Sequence, residues 1–199
     1  MGMGHPVVGT CRDHGIHPTL SCDIVSLNSG DLFTQMRLAL ASARCADNDR
    51  CNRSGAMPQA LTITARDALR WATLYGAEAC GLDAKIGSLR PGKQADIIVV
   101  GGPDSLAFRP RPEPVGNVVF HATAHDVRDV FIAGRRVKEN GVLVGVDLSR
   151  LLDRAEGSAA RILATVRTAS PTFPSRPAAG TSFEGFEEVA RRNLSSAHR

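Results

Sequence analysis

The chain has 199 residues, of which 43% are hydrophobic and 22% charged, the proportions of an ordinary globular protein, while aromatics at 5% predict an aliphatic, alanine-rich core. No apolar run approaches the about 18 residues needed to cross a bilayer, and no charged-then-apolar leader opens the chain, so a soluble, cytoplasmic protein is expected, without a membrane role. The net charge of +4 arises from scattered arginines, which favours solubility and argues against a nucleic-acid groove. Five irregularly spaced cysteines, Cys11, Cys22, Cys45, Cys51 and Cys80, contain no C-x-x-C and predict reduced thiols, with neither a disulfide framework nor a structural zinc site.

In chain order, His5 to Asp13 reads as a short helix and Thr19 to Cys22 as a strand. Asp31 then opens a helix to about Ala43, with Leu32, Phe33, Met36, Leu40 and Ala43 at helical spacing and the acid where the helix N-terminus favours it. Polar composition between Cys45 and Met57 predicts a mobile loop. Thr64 and Asp67 form a capping-box signature ahead of Ala68, Leu69, Ala72 and Leu74, and Gly81 suits the position after the last helical residue. Pro91-Gly92 predicts a type II turn, and Ile97 to Val100 a β-branched strand buried on both faces. A proline-rich loop over 104–114 precedes predicted strands at Val115 to His121 and Val127 to Ile132, with Ala133-Gly134 turning into Arg136-Val137. Leu148 to Val166 reads as a helix, and the Pro, Ser, Ala and Arg content of 169–199 predicts a tail without stable fold, apart from a short helix at Phe186 to Arg192.

The residue with most chemical promise is Asp23, a carboxylate ending the extended segment Pro18-Thr19-Leu20-Ser21-Cys22-Asp23. In a parallel α/β barrel the C-terminal strand ends form the active-site rim. The competing reading is a turn former, since Asp is common after strands. His121 and His125 are four apart but lack an accompanying Glu, so they read as loop histidines flanking a strand end. His5, His14 and His17 precede the strand, at the end opposite Asp23. Lys93 reads as a solvated turn residue, and the glycines, Gly101-Gly102 included, form no phosphate-binding fingerprint.

Three passages carry a resemblance. The first joins Met1 to Pro6, Gly15 to Asp23 and Gly30 to Arg37; the second runs through Thr64 to Thr73, Gly76-Ala77, Gly81-Leu82 and Ile86 to Val100; the third is Val127 to Val137 with Gly141. Together they resemble the amidohydrolase superfamily, and within it the cytosine deaminase and triazine hydrolase group. The resemblance covers residues 1 to 145. It implies an α/β fold: the C-terminal fragment of a metal-dependent hydrolase TIM barrel, its last strand and helices, joined to part of a small β-sandwich domain. The implied division is 1–80 for the last strand and flanking helices, 81–145 for β-domain strands, 146–168 for a helix and 169–199 for a disordered tail.

A barrel of this type takes roughly 250 residues, and the resemblance assigns one barrel strand to this chain. Met1 falls inside a family motif, so a truncated gene, a frameshifted frame or a mis-called start codon is expected. The family's metal centre also uses a His-x-His pair, a Lys or Glu and two further histidines, none of which is located here. Asp23 is the implied metal ligand and catalytic proton shuttle, for zinc or iron that this piece alone is not expected to retain. Where the family often has Gly-Thr-Asp or Ser-Val-Asp, this chain has Ser21-Cys22-Asp23, with Cys22 on the opposite face by strand alternation. The implied activity is hydrolysis of a non-peptide carbon-nitrogen bond in a small cyclic amidine. The alternative is a catalytically inactive remnant or an interaction module. Implied partners are a small-molecule substrate and either a second copy or a complementing N-terminal segment.

Overall fold

A computed structural model describes residues 6–25, 28–102, 105, 108–109 and 113–169. The chain divides into two compact units, 1–146 and 147–199. The first holds α1 (Val8–Asp13), α2 (Leu32–Arg53), α3 (Ala65–Trp71), α4 (Leu74–Ala79), β1 (Ile97–Val100), α5 (Pro114–His121), β2 (Val127–Ile132), β3 (Arg135–Glu139) and β4 (Val142–Leu143). The second is described through α6 (Leu148–Ala169). No helix among the described residues is long and apolar enough to cross a membrane.

The longest helix of the first unit, α2, begins as predicted: the Asp31 side chain accepts from the Thr34 backbone N–H at 2.8 Å. It does not stop at Ala43. The segment predicted as a mobile loop is helical to Arg53, because its charges make local and long-range pairs. Asp47 binds Arg50 one turn on at 3.0 Å and Arg12 of α1 at 2.6 Å, and Arg53 donates to the Asp49 carbonyl at 3.2 Å. The helix ends in a Schellman motif, with Gly55 at a φ of 73° and the Ala56 N–H bonded to the Cys51 carbonyl at 3.0 Å. Gly15 after α1 and Gly81 after α4 serve in the same way.

Buried residues of α2 face Val8 of α1, Ile63, Ala68 and Trp71 of the α3 region, and Val119 and Ala122 of the α5 region. Thr64 and Asp67 make the predicted capping box at the start of α3. Residues 115 to 121, predicted as a strand, are helical. Pro114 occupies the first turn, the Glu113 side chain accepts from the Val115 N–H at 3.3 Å, and Arg37 of α2 donates to the carbonyls of Val119 at 3.3 Å and Ala122 at 2.7 Å. These caps and the fully buried Val119 outweigh the β-preference of a valine-rich run.

The strands form one antiparallel sheet in the order β1-β2-β3-β4. Two-residue turns close both hairpins. Ala133-Gly134 joins β2 to β3 and Asn140-Gly141 joins β3 to β4, all four residues at positive φ, which is the type I′ geometry that matches strand twist. Asp129 of β2 is buried and accepts from Arg128 Nε at 2.7 Å and from the Asn140 N–H at 3.2 Å. The Arg128 bond first, with Asn140 adding to it, holds its carboxyl below the usual range. The expectation that β1 is buried on both faces is corrected: it is an edge strand, and Ile98 is 53% exposed. The predicted strand at Thr19 to Cys22 is likewise unpaired among the described residues, since the chain sets no other strand beside it.

In the second unit, α6 covers the helix predicted at Leu148 to Val166, with Leu148, Leu151, Leu152, Ile162 and Leu163 all exposed. The predicted short helix at 186–192 and the rest of the tail lie outside the described residues, as does His5.

Gly87 separates two effects of glycine. It lies at a φ of 84°, and a Cβ there would meet the Ala77 Cβ at 2.6 Å and the Leu74 Cα at 3.2 Å. Gly92, at a φ of 89°, has open space around it. Chemical denaturation should therefore show Gly87→Ala losing about 2 kcal/mol or more and Gly92→Ala only about 1 kcal/mol. Equal losses would show that backbone conformation alone governs both sites.

Candidate active site

Asp23 ends an extended run whose exposure alternates: Leu20 and Cys22 are half-buried, while Thr19, Ser21 and Asp23 face outward. Leu20 rests against the helical core and so fixes which face is covered. Asp23 itself has a φ of 52°, in the left-handed region that Asp adopts more readily than most residues. Its N–H donates to Ser21 Oγ at 3.0 Å, a local bond that stabilises the change of direction. The carboxylate and the Cys22 thiol thus lie on opposite faces.

The other end of the run is fastened by His17. Its ring stacks on Tyr75 with centroids 3.9 Å apart and planes 6° from parallel, and its Nδ1 is 2.7 Å from Glu78 Oε2. His17 and Tyr75 border a cleft of about 250 Å³ together with Ile16, Pro18, Ile63 and Trp71. Arg12, Thr62 and Asp67 also reach this cleft, but their polar atoms are engaged elsewhere: Arg12 and Thr62 with Asp47, and Asp67 with the N-cap of α3. What remains is a mainly apolar and aromatic wall.

The other described histidines stay apart. His14 Nδ1 lies 3.0 Å from the Thr10 carbonyl within its own helix turn. His121 ends α5 while His125 sits in the 3-10 turn Ala124–Asp126, so their spacing of four does not place them on one helix face, nor do they flank a strand end. Among the described residues no group of three or more His, Cys, Asp or Glu side chains is arranged to hold a metal ion.

Two tethers escaped the sequence reading. Lys93 is not a freely solvated turn residue: Nζ donates to Ser88 Oγ at 2.7 Å, to the Ile86 carbonyl at 3.1 Å and to the Asp83 carbonyl, stapling the loop before β1. Arg12 and Asp47, 35 residues apart, form a forked pair at 2.6 and 3.1 Å joined by Thr62. No short-range pattern announces either arrangement. The Arg12 bond, with help from Thr62, holds the Asp47 carboxyl down to about 2, and the same pair raises Arg12.

Residues 6–137 match the sequence profile of the amidohydrolase family. The chain is 31% identical over 163 residues to the 5-methylthioadenosine/S-adenosylhomocysteine deaminase of Shouchella clausii, a match covering 81% of this chain and 35% of that protein. Its fold aligns with an adenosine deaminase from Xanthomonas campestris with bound zinc, at a TM-score of 0.67 and 30% identity over 78% of this chain and 34% of the other. It also aligns with the atrazine chlorohydrolase of Arthrobacter aurescens complexed with zinc, at a TM-score of 0.65 and 25% identity over 79% of this chain and 33% of that one. The chain thus spans about a third of the length of these relatives.

The geometry yields two expectations. A catalytic ion takes three or four protein ligands, and no such group is assembled among the described residues, so the 199-residue chain should retain far less than one zinc per molecule through gel filtration, measured by elemental analysis. Stoichiometric retention would contradict the ligand geometry. Secondly, the Asp47 carboxyl titrates lower folded than unfolded, so its contribution is complete above about pH 4 and disappears as pH falls toward about 2. Urea midpoints should drop across that window, and less steeply in Asp47→Asn.

Proposed function

The chain belongs to the amidohydrolase family, and from that premise we propose that it carries the strand-eight portion of a hydrolase barrel and part of the accompanying β-domain. The proposed reaction is hydrolytic deamination: water adds to the ring carbon of a cyclic amidine, the carbon-nitrogen bond breaks and ammonia leaves. The adenine ring of a nucleoside is the substrate class favoured, because the similar proteins include a methylthioadenosine/S-adenosylhomocysteine deaminase and an adenosine deaminase. The observation that carries the reading is the family match from 6 to 137 running through Asp23 at the outward end of its extended segment.

Asp23 is the proposed catalytic residue and the one proposed metal ligand. Its own task is to accept a proton from the attacking water and return it to the departing nitrogen, a role suited to a short, exposed carboxylate. The described residues do not form a metal site by themselves. No step is therefore assigned to an ion held by this chain alone, and the proposed activity requires ligands from a complementing polypeptide segment. A second reading, an inactive remnant or interaction module, is supported by the lack, among the described residues, of any group of three or more side chains arranged to hold an ion.

The test is reconstitution with the N-terminal two-thirds of a family deaminase, following loss of adenosine absorbance. Asp23→Asn is nearly isosteric, and Asn also tolerates the left-handed backbone. It should retain the fold yet lower turnover about 100-fold or more. Cys22→Ser, on the opposite face, should turn over at the parental rate. Parental turnover by Asp23→Asn would remove Asp23 from the mechanism.

A further inference from the structure

From His17 to Asp23 the chain alternates strictly between its two faces. Pro18, Leu20 and Cys22 are half-buried, while His17, Thr19, Ser21 and Asp23 are exposed. Side chains two apart along an extended run point the same way, so His17 and Asp23 share the outward face. A slip of one residue would exchange the faces and turn the carboxylate inward. At about 3.3 Å per residue the two lie about 20 Å apart, so His17 cannot touch a molecule reacting at Asp23. Whatever it does for Asp23 it does through the run.

The His17 ring is held in two ways. It lies flat on Tyr75, with centroids 3.9 Å apart and planes 6° from parallel, and Tyr75 in turn packs on the helical core. Its Nδ1 is 2.7 Å from Glu78 Oε2, and because a carboxylate only accepts, Nδ1 carries the proton that makes the bond. An exposed ion pair alone would contribute little, but a stacked ring fixes the plane of the side chain as well as its position. Tyr75 and Glu78 stand three apart on α4 and so present both contacts from one helix face. On the covered face Leu20 rests against the core. The run is thereby gripped on both faces, by groups that all belong to the first unit.

We propose that His17 is a positioning residue for Asp23: its clamp on Tyr75 and Glu78 fixes which face of the 17–23 run is outward, and so where the carboxylate points. Leu20 selects the covered face by burial, and His17 stops the run from turning about that contact. Loss of the clamp lets the run roll, which moves Asp23 off its direction and brings the Cys22 thiol out from the covered face. The consequence for catalysis rests on Asp23 being the proton acceptor proposed above, whereas the facing of the run does not.

Alkylation of the native 199-residue chain, followed at each cysteine by peptide mass spectrometry, reads the facing of the run. His17 is exposed, so His17→Ala should leave the core packed. It should speed labelling of Cys22 about tenfold or more by local opening, with Cys51, half-buried in α2, labelled at the parental rate. Tyr75→Ala should act alike, whereas Tyr75→Phe, which keeps the ring, should match the parent. In the reconstituted hydrolase, His17→Ala should lower kcat about tenfold with KM unchanged, as a misdirected carboxylate does. Parental labelling of Cys22 in His17→Ala, a rise shared equally by Cys51, or a change in KM alone overturns the proposal. Full activity of Asp23→Asn beside the expected labelling would instead remove the hydrolase reading and leave the clamp standing.

Discussion

Arg37 is the residue on which the helical part of the first unit turns. From the second turn of α2 it reaches the carbonyls of Val119 and Ala122 at the end of α5, where backbone acceptors lack helical partners. Its charge also complements the negative end of that helix. Seven residues further along α2, Arg44 donates to the Ile63 carbonyl at 3.1 and 3.0 Å, just before α3. One helix thus anchors two others through charged donors to main-chain acceptors, while Met36, Leu40 and Ala43 supply the apolar contact between them. Polar satisfaction and burial reinforce each other here, since the same packing that covers Val119 brings the guanidinium to its carbonyls.

Where sequence and structure agree, the controlling chemistry is local. The Thr64-Asp67 capping box, Gly81 after α4 and the Ala133-Gly134 turn each depend on residues a few positions apart. The departures arise from partners far away in sequence. Residues 115 to 121 look like a strand until Arg37 caps them, and the polar stretch after Cys45 looks like a loop until Asp47 meets Arg12. Lys93 is the exception: its three acceptors lie only five to ten residues before it, and they converge because the loop before β1 folds back on the side chain. Ile97 to Val100 is apolar enough for a central strand, yet a sheet of four strands leaves it at the margin.

The candidate site divides in the same way. The sequence proposes Asp23 from its place at the end of an extended run, and the alternating exposure of Thr19 to Asp23 gives that run a covered and an open face. The anchoring of the other end by Tyr75 and Glu78 was not legible, since Glu78 lies 61 residues beyond His17. A metal-dependent carboxylate requires neighbouring ligands, and among the described residues no group of three or more is arranged to hold an ion. The chain belongs to the amidohydrolase family and spans about a third of the length of the relatives it matches.

The Asn140-Gly141 turn carries a built-in chemical clock. An asparagine followed by glycine cyclises when the glycine nitrogen is free to attack the side-chain amide, leaving aspartate or isoaspartate. In the folded hairpin that nitrogen donates its proton to the Arg128 carbonyl at 2.8 Å, while the Asn140 N–H is held by buried Asp129. Both bonds resist the backbone rearrangement that cyclisation needs. Ageing of stored protein at Asn140 therefore records how often this corner of the sheet opens, a local event that global melting does not resolve.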